Sequence, residues 1–204
     1  MANNKEDRLI RFFNVCVLDI ETSDLAAVGA GFLTAAVVKP LGYTERVFRY
    51  DEFKCKPAHE GKMLSSLIRE LGQYDMVIGH NIDRFDLNYI RSRAIVLGVP
   101  FNVRPIVYDT LKAFRRCGFL TRPNGFGKPT ASLAFVTDFL GIPQEKTALY
   151  PREHWQTVWQ TQHKERRAAI DGLVNHCKKD VFMNEQAFNV LFPLDTNFNL
   201  KRLR

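Results

Sequence analysis

Residues 14–21 read NVCVLDIE, a short apolar run that ends in two acidic residues. Its β-branched residues and its length are typical of a buried strand. Because side chains alternate along a strand, Asp19 and Glu21 point to the same face of the sheet. Two carboxylates at the end of a buried strand are costly unless a positive group compensates them, and a divalent cation such as Mg²⁺ suits oxygen ligands. The alternative interpretation is that both acids lie just past the buried part of the strand and are solvated.

The order of the elements around this strand predicts the fold class. Three strands come first, and strands and helices alternate afterwards, which favours an α/β fold with a mixed five-stranded sheet flanked by helices. In one of these helices, residues 81–98, Asp83 is the predicted N-cap. Hydrophobic spacing predicts the other strands at 31–39, 44–50, 76–80 and 105–109, and the other helices at 60–74, 109–117, 132–141 and 163–191.

The chain length of 204 residues corresponds to one domain of ordinary size. We expect a polar lead-in at residues 1–12, the α/β domain at 13–192 and a peripheral tail at 193–204. Residues 118–129 hold three glycines and two prolines, which predicts a loop. Residues 143–163 have no clean period and are a candidate interface with another chain.

Charge and cysteine usage narrow the class of partner and the compartment. The chain carries 29 Lys and Arg against 22 Asp and Glu, a net charge of +7, and its pI is near 9.3. This excess favours polyanionic partners, nucleic acid first, although many basic proteins bind no polyanion. The four cysteines lie far apart and form no Cys-x-x-Cys pair, which argues against disulfide or zinc frameworks. There is neither a membrane-length apolar run nor a secretory signal, so we expect a cytoplasmic protein.

A second pair of polar residues lies on the last predicted helix. His176 and Asp180 are four residues apart and share a helix face at the edge of the apolar stripe. A carboxylate there can add a metal ligand, and a neutral imidazole beside it can accept a proton from water near neutral pH. The alternative is a surface ion pair, worth about 0.3 kcal/mol.

The third candidate segment, residues 79–90, reads GHNIDRFDLNYI. Asp86 falls in the first turns of a helix and can reach a cation at the strand ends, although capping and dipole compensation would also explain it. Asn81 can hold backbone or substrate. Phe85 can stack on a terminal base, although a Phe at such a position is more often part of the core.

Taken together, the three segments resemble a known superfamily. The motifs DIET, GHNIDRFD and HCKKD, in this order on a strand and two helices, are similar to the three exonuclease motifs of the DEDD superfamily. These are the DnaQ-like 3′→5′ exonucleases on an RNase H-like fold. The resemblance covers about residues 13–192 and includes Asp109, Thr110 and Leu111 after the fifth predicted strand.

The resemblance implies a role for each matched residue. The four motif acids would hold two Mg²⁺ or Mn²⁺ ions, a histidine would be the general base, and two further residues would support the terminal nucleotide. Two such cations, roughly 3.5–4 Å apart, stabilise the attacking and leaving oxygens of an in-line displacement. The matched residues are Asp19, Glu21, Asp86 and Asp180 for the metals, His176 for the base, and Thr22 and Asn81 for the nucleotide.

One position departs from the superfamily pattern. The histidine branch of the superfamily commonly separates the histidine and the acid by four residues, and the tyrosine branch by three. Here His176-Cys-Lys-Lys-Asp180 combines a histidine with the shorter spacing. The surrounding HCKKDV is similar to the tyrosine branch, which includes polymerase-linked proofreading domains. The role of His176 as the base therefore needs a test of its own.

The expected function is metal-dependent 3′→5′ exonuclease action on DNA or RNA, with release of 5′-mononucleotides; the polarity is implied by the resemblance. One rival is an RNase H-like endonuclease or resolvase, which needs no free 3′ end. The other is a non-catalytic nucleic-acid-binding domain, which shows no metal-dependent cleavage. The expected partners are a nucleic-acid 3′ end and, for the protein itself, a second copy in a homodimer or a larger replication, repair or RNA-processing assembly.

Basic residues near the proposed site are candidates for contacts with the phosphate backbone. The alternative for each of them is a solvated basic surface. These residues are Arg115, Arg116, Arg122 and Lys128 in and before the loop, and Lys178 and Lys179 beside the third motif.

Overall fold

The computed structural model describes residues 12–29, 31–53, 60–119, 131–143 and 163–198. The predicted loop at 118–129 and the unassigned stretch at 143–163 lie largely outside these ranges. The predicted α/β class with a mixed five-stranded sheet is confirmed. The strands are β1 (Val15–Thr22), β2 (Leu33–Pro40), β3 (Arg46–Arg49), β4 (Met76–Gly79) and β5 (Ile106–Asp109), and the helices are α1 (Gly61–Leu71), α2 (Asp86–Val96), α3 (Thr110–Arg116), α4 (Leu133–Phe139) and α5 (His163–Leu194).

The strands form a sheet in the order β3-β2-β1-β4-β5. β1 pairs antiparallel with β2, and β2 with β3, whereas β4 lies parallel to β1 on one side and to β5 on the other. The last pairing between β1 and β4 joins Val17 to Ile78, so β1 continues past the end of β4. Among the described residues, the end of β1 that carries Asp19 and Glu21 has no strand partner on its β4 side.

Side chains of β1 alternate between the two faces of the sheet, as the sequence predicts. Cys16, Leu18 and Ile20 pack with residues of α1 and α2 on one face. Val15 and Val17 pack on the other face with residues of α3, α4 and the second half of α5. Asp19 follows the parity of Val15 and Val17, which directs it toward α5.

Helix α5 contributes to the core on both faces of the sheet. Residues 169–174 belong to the first cluster, and residues 177–192 belong to the second. Between them, the Cys177 thiol donates a hydrogen bond to the Asp19 carbonyl oxygen over 3.1 Å, which fixes the helix against β1. The helix ends at Leu194 rather than at residue 191. Phe198, in the predicted tail, packs on Tyr108 of β5 with ring centroids 4.9 Å apart.

Helix α2 begins at Asp86, although the sequence pattern predicts a helix from residue 81. The reason is Asn81, whose φ of 58° is left-handed and incompatible with a right-handed helix. The predicted N-cap role of Asp83 is wrong, because Phe85 occupies that position and no side chain caps the helix. The Asp83 carboxylate instead forms an ion pair with Lys112 of α3. No helix in the described ranges has the length and apolar character needed to cross a bilayer.

Candidate active site

Acidic side chains from three elements meet at the open end of β1. Asp19 and Glu21 come from β1, Asp86 is the first residue of α2, and Asp180 lies on α5. Glu21 and Asp86 are 9% and 5% exposed. Burial, followed by the charges of the three other acids, raises the pKa of the Asp19 carboxyl well above its usual value. The structure therefore brings together the four acids that the sequence predicts.

The close turn between β4 and α2 delivers Asp86 to this place. Gly79 ends β4, and a β-carbon there would lie 2.7 Å from the Ile82 side chain and 3.0 Å from the Leu18 carbonyl oxygen. Only glycine permits so close an approach of the turn to β1.

The Asp86 carboxyl has a strongly raised pKa. Burial raises its pKa to about 8, with further contributions from the charges of Asp109 and Glu21. The backbone N–H of Ile20 beside the carboxyl opposes this shift. Asp86 therefore lies against the part of β1 between Asp19 and Glu21.

His176 lies beside two of the acids. Its Nδ1 is 2.9 Å from Glu21 Oε1 and 3.8 Å from Asp180 Oδ2. The hydrogen bond to Glu21 is the main cause that raises the pKa of the imidazole. Because Nδ1–H donates to Glu21, the neutral ring keeps Nε2 as its acceptor. The side chain is 31% exposed, so water can reach the ring.

Asp180 is the fourth acid and shares the environment of His176. Burial raises the pKa of its carboxyl to about 6. The His176 charge lowers this value and the Glu21 charge raises it. The ion pair that the sequence offers as an alternative for His176 and Asp180 is present at 3.8 Å, and His176 makes a shorter contact, of 2.9 Å, with Glu21.

Asp109 is a site residue to which sequence reasoning gives no role. Its Oδ1 accepts hydrogen bonds from the backbone N–H groups of Asn81 and Leu111, each over 3.0 Å, and of Lys112 over 3.3 Å. It thus caps α3 and holds Asn81 in its left-handed conformation. Burial and the adjacent Asp83 carboxyl raise the pKa of Asp109 to about 6. In the sequence, the feature that could have indicated this capping role is an acidic residue between a predicted strand and a predicted helix.

The three predicted nucleotide-contacting residues lie in two of the three segments that carry the acids. Thr22 is buried at the end of β1, where the pairing with β2 shifts register. Asn81 is half-buried in the turn before α2. Phe85 is half-buried and packs on Tyr89, with ring centroids 5.7 Å apart. Their contacts with a nucleotide stay predictions.

His80 serves the packing of the site rather than its chemistry, as the sequence position suggests. Its Nδ1 lies 3.1 Å from Thr110 Oγ1, and its Nε2 lies 2.7 Å from the Ala131 carbonyl oxygen. Since a carbonyl oxygen only accepts, Nε2 carries the hydrogen of the neutral ring. These bonds join the end of β4 to α3 and to the segment before α4.

The acids are not arranged as a ready-made metal site. Across the described ranges, no three His, Cys, Asp or Glu side chains have that geometry. Carboxylates buried together without a counter-charge repel one another or take up protons, and the raised pKa values of Asp19, Asp86 and Asp180 express this. The donor set consists of carboxylate oxygens, which suits Mg²⁺ or Mn²⁺.

In the presence of EDTA, the free energy of unfolding is expected to fall as the pH rises from 5 to 8. An unfolded carboxyl titrates near pH 4, whereas the folded pKa is about 6 for Asp180 and about 8 for Asp86. The stabilisation by these protonated groups is complete below about pH 4 and is lost as the pH rises through the folded values. The raised pKa of His176 acts in the same direction, and the lowered pKa of His80 opposes it.

Thermal melts check this expectation. The melting temperature in EDTA should fall by roughly 5–10 °C between pH 5 and pH 8. Excess Mg²⁺ should remove most of this fall because it compensates the charge of the ionised carboxylates. A melting temperature that rises from pH 5 to pH 8 in EDTA would contradict the expectation.

A sequence profile of the RNase H superfamily matches residues 16–191. The chain belongs to the RNase H superfamily. Among curated proteins, this RNase H superfamily chain is 45% identical over 58 residues to DNA polymerase 1 of Aeropyrum pernix, and the match covers 28% of the chain and 6% of the polymerase.

Two solved structures share the RNase H superfamily fold of the chain. The family B DNA polymerase of Pyrobaculum calidifontis superposes on 90% of the chain with a TM-score of 0.58 and 17% identity, over 26% of the polymerase. Exonuclease I of E. coli, in complex with a 5cy-dA13 oligonucleotide, superposes on 93% of the chain with a TM-score of 0.54 and 13% identity, over 42% of that protein. The chain therefore spans less than half the length of each of these relatives.

Proposed function

We propose that the protein is a metal-dependent 3′→5′ exonuclease that hydrolyses phosphodiester bonds of DNA or RNA and releases 5′-mononucleotides. The observation that carries the proposal is the convergence of four carboxyl groups at the end of β1. Glu21 and Asp86 are buried, and Asp19 and Asp180 are half-buried. Carboxylates withdrawn from water in this number have no structural advantage without a positive ligand. Membership of the RNase H superfamily supports a nuclease, and the fold shared with Exonuclease I supports the exonuclease class.

The four acids would hold two divalent cations, Mg²⁺ or Mn²⁺. Bound there, the ions would supply charge stabilisation for the attacking and leaving oxygens of the phosphodiester. Glu21 has a second task in this proposal, since its Oε1 accepts the Nδ1 hydrogen of His176. It thereby keeps the imidazole in the tautomer whose Nε2 is free to accept a proton.

His176 would act as the general base. Its Nε2 takes a proton from a water molecule, the oxygen of that water attacks the phosphorus, and the bond from phosphorus to the 3′ oxygen of the preceding nucleotide breaks. The released 3′ oxygen takes up a proton from solvent water and becomes the new 3′ hydroxyl. The products are a 5′-mononucleotide and a chain that is shorter by one nucleotide. Thr22, Asn81 and Phe85 would support the terminal nucleotide.

A time course on 5′-labelled single-stranded DNA and RNA oligomers tests the proposal, in Mg²⁺, in Mn²⁺ and in EDTA. The expected result is a ladder that shortens one nucleotide at a time from the 3′ end and is absent in EDTA. Internal cuts on oligomers with a blocked 3′ end would instead indicate the endonuclease. Binding of every oligomer without any metal-dependent cleavage would overturn the proposal in favour of a binding domain.

His176→Ala is expected to lower the cleavage rate by about 10²- to 10⁴-fold, the usual contribution of a general base. His176→Tyr should retain more activity than His176→Ala, because a tyrosine with this spacing to the acid occurs in the resembling branch of the superfamily. The cleavage rate of the wild type should fall toward acid pH, where the imidazole is protonated. Unchanged cleavage by His176→Ala would move the role of the base to another group.

A further inference from the structure

The two arginines at the end of α3 have different environments: Arg116 forms an ion pair within the fold, and Arg115 faces solvent. Arg116 binds both carboxylate oxygens of Asp195, through Nε over 3.1 Å and 3.2 Å and through Nη2 over 2.5 Å, and Asp195 is buried. This pair joins α3 to the end of α5 and commits Arg116 to the fold. Arg115 is exposed and has no carboxylate partner among the described residues.

A second exposed arginine lies on the turn that delivers Asp86. Arg84 is exposed and also lacks an ion pair within the part of the chain that the structure describes. It follows Asp83, whose carboxylate pairs with Lys112 of α3. The Lys112 side chain is itself 43% exposed, and a surface pair of this kind is weak enough to be shared with another anion.

These three cations form a continuous feature, which we call the basic ridge: Arg84, Lys112 and Arg115. Lys112 and Arg115 are three residues apart on α3, so their β-carbons are about 5–6 Å apart on one face of the helix. Lys112 reaches the turn at Asp83, which joins this face to Arg84. Lys112 and Arg84 thus lie on either side of the half-buried Asp83 carboxylate.

The basic ridge begins at the turn that delivers Asp86 to the acid cluster and continues onto α3. The segment that carries Arg84 ends in Asp86, and α3 starts at the carboxyl end of β5, parallel to β4. Arg115 lies six residues beyond Asp109, about 9 Å along the helix axis. A nucleotide chain whose 3′ end enters the acid cluster must extend outward, and its phosphates are attracted to cations rather than to the acids.

We propose that the basic ridge binds the phosphates of the nucleotides that precede the scissile bond. This inference rests on the proposed function and specifies the path of the substrate. The ridge predicts a preference for chains long enough to reach Arg115 over a dinucleotide. On α3 the contributing cations are Lys112 and Arg115, whereas Arg116 has no part in it.

The test compares Arg84→Gln/Arg115→Gln with a matched control, Arg104→Gln. Arg104 is also exposed but precedes β5, at the end of that strand opposite to Asp109. The affinity for a labelled single-stranded oligonucleotide is measured against KCl concentration in EDTA. Each lost phosphate contact should make the slope of log K against log salt shallower by about 0.7, while the control keeps the wild-type slope.

Cleavage provides the second readout. The double variant should lose about tenfold or more in kcat/KM on a long oligomer, since it lacks two phosphate contacts. The single variant Arg115→Gln should cleave a dinucleotide at the wild-type rate, because a dinucleotide does not reach Arg115. If the double variant kept the wild-type slope of log K against log salt and cleaved the long oligomer at the wild-type rate, phosphate binding by the basic ridge would be contradicted. The proposed exonuclease activity would not be affected by that result. A wild-type protein that neither binds nor cleaves would overturn both.

Discussion

Asp19→Asn is expected to lower the rate of nucleic-acid cleavage by about 10³-fold or more, because a lost metal ligand removes several kcal/mol of transition-state stabilisation. The side chain keeps its size, and its burial among three other acids means that the substitution removes a charge rather than a packing contact. Folding should therefore survive. Asp138→Asn, at an exposed position on α4, is the matched control and should cleave like the wild type.

A second measurement separates loss of the site from loss of the fold. The wild type is expected to lose stability in EDTA as the pH rises, in part because burial and the neighbouring acids raise the pKa of Asp19 in the folded state. Asn has no proton to lose, so the variant should be more stable than the wild type at pH 8, and Mg²⁺ should raise its melting temperature less. The assignment of Asp19 as a metal ligand would be contradicted if Asp19→Asn cleaved at the wild-type rate. It would also be contradicted if Mg²⁺ raised the melting temperature of the variant as much as that of the wild type.

Glu60→Ala is expected to destabilise the protein by about 3–5 kcal/mol, which corresponds to a melting temperature lower by roughly 10 °C. Glu60 is fully buried, and Arg93 is 5% exposed. The Glu60 carboxylate accepts hydrogen bonds from Arg93 Nε and from the backbone N–H of Leu33, and Arg93 also donates to the Ala27 carbonyl oxygen over 3.0 Å. Removal of Glu60 would leave the Arg93 charge buried without a partner.

The same chain offers a matched exposed pair as the control. Lys178 and Glu45 form an ion pair of 3.0 Å with side chains 40% and 32% exposed, so Glu45→Ala should cost under about 1 kcal/mol. Glu60→Leu/Arg93→Met should recover much of the loss, because it leaves no unpaired charge in the core. Chemical denaturation gives the free energies. If Glu60→Ala and Glu45→Ala lowered the free energy of unfolding by the same amount, burial of the Glu60–Arg93 pair would not make its loss more destabilising than the loss of an exposed pair.

The parts of the fold that follow local patterns could be predicted from the sequence. The alternation along β1 assigns Asp19 and Glu21 to one face, and the four-residue spacing assigns His176 and Asp180 to one helix face. These local rules are sufficient because each pair lies within a single element. The order of elements then limits the sheet to a mixed arrangement whose strand ends bring such faces together.

The missed features depend on contacts between residues distant in sequence. Glu60 belongs to a polar stretch before α1, and no local pattern indicates that it pairs with Arg93, which lies one helix later. Asp83 fits the N-cap signature, but the left-handed Asn81 delays the helix and Asp83 turns to Lys112 instead. The role of Asp109 depends likewise on the backbone of Asn81 in another turn.

The place of α5 in the chain also determines when the acid cluster can exist during protein synthesis. The ribosome makes the strands and the first acids well before residues 163–194, and domains fold as their segments emerge. Because α5 carries His176 and Asp180 and contributes to the core on both faces of the sheet, the nascent chain holds only part of the cluster until α5 has emerged from the ribosome. The acidic site therefore forms later during synthesis than the sheet that carries its first two acids.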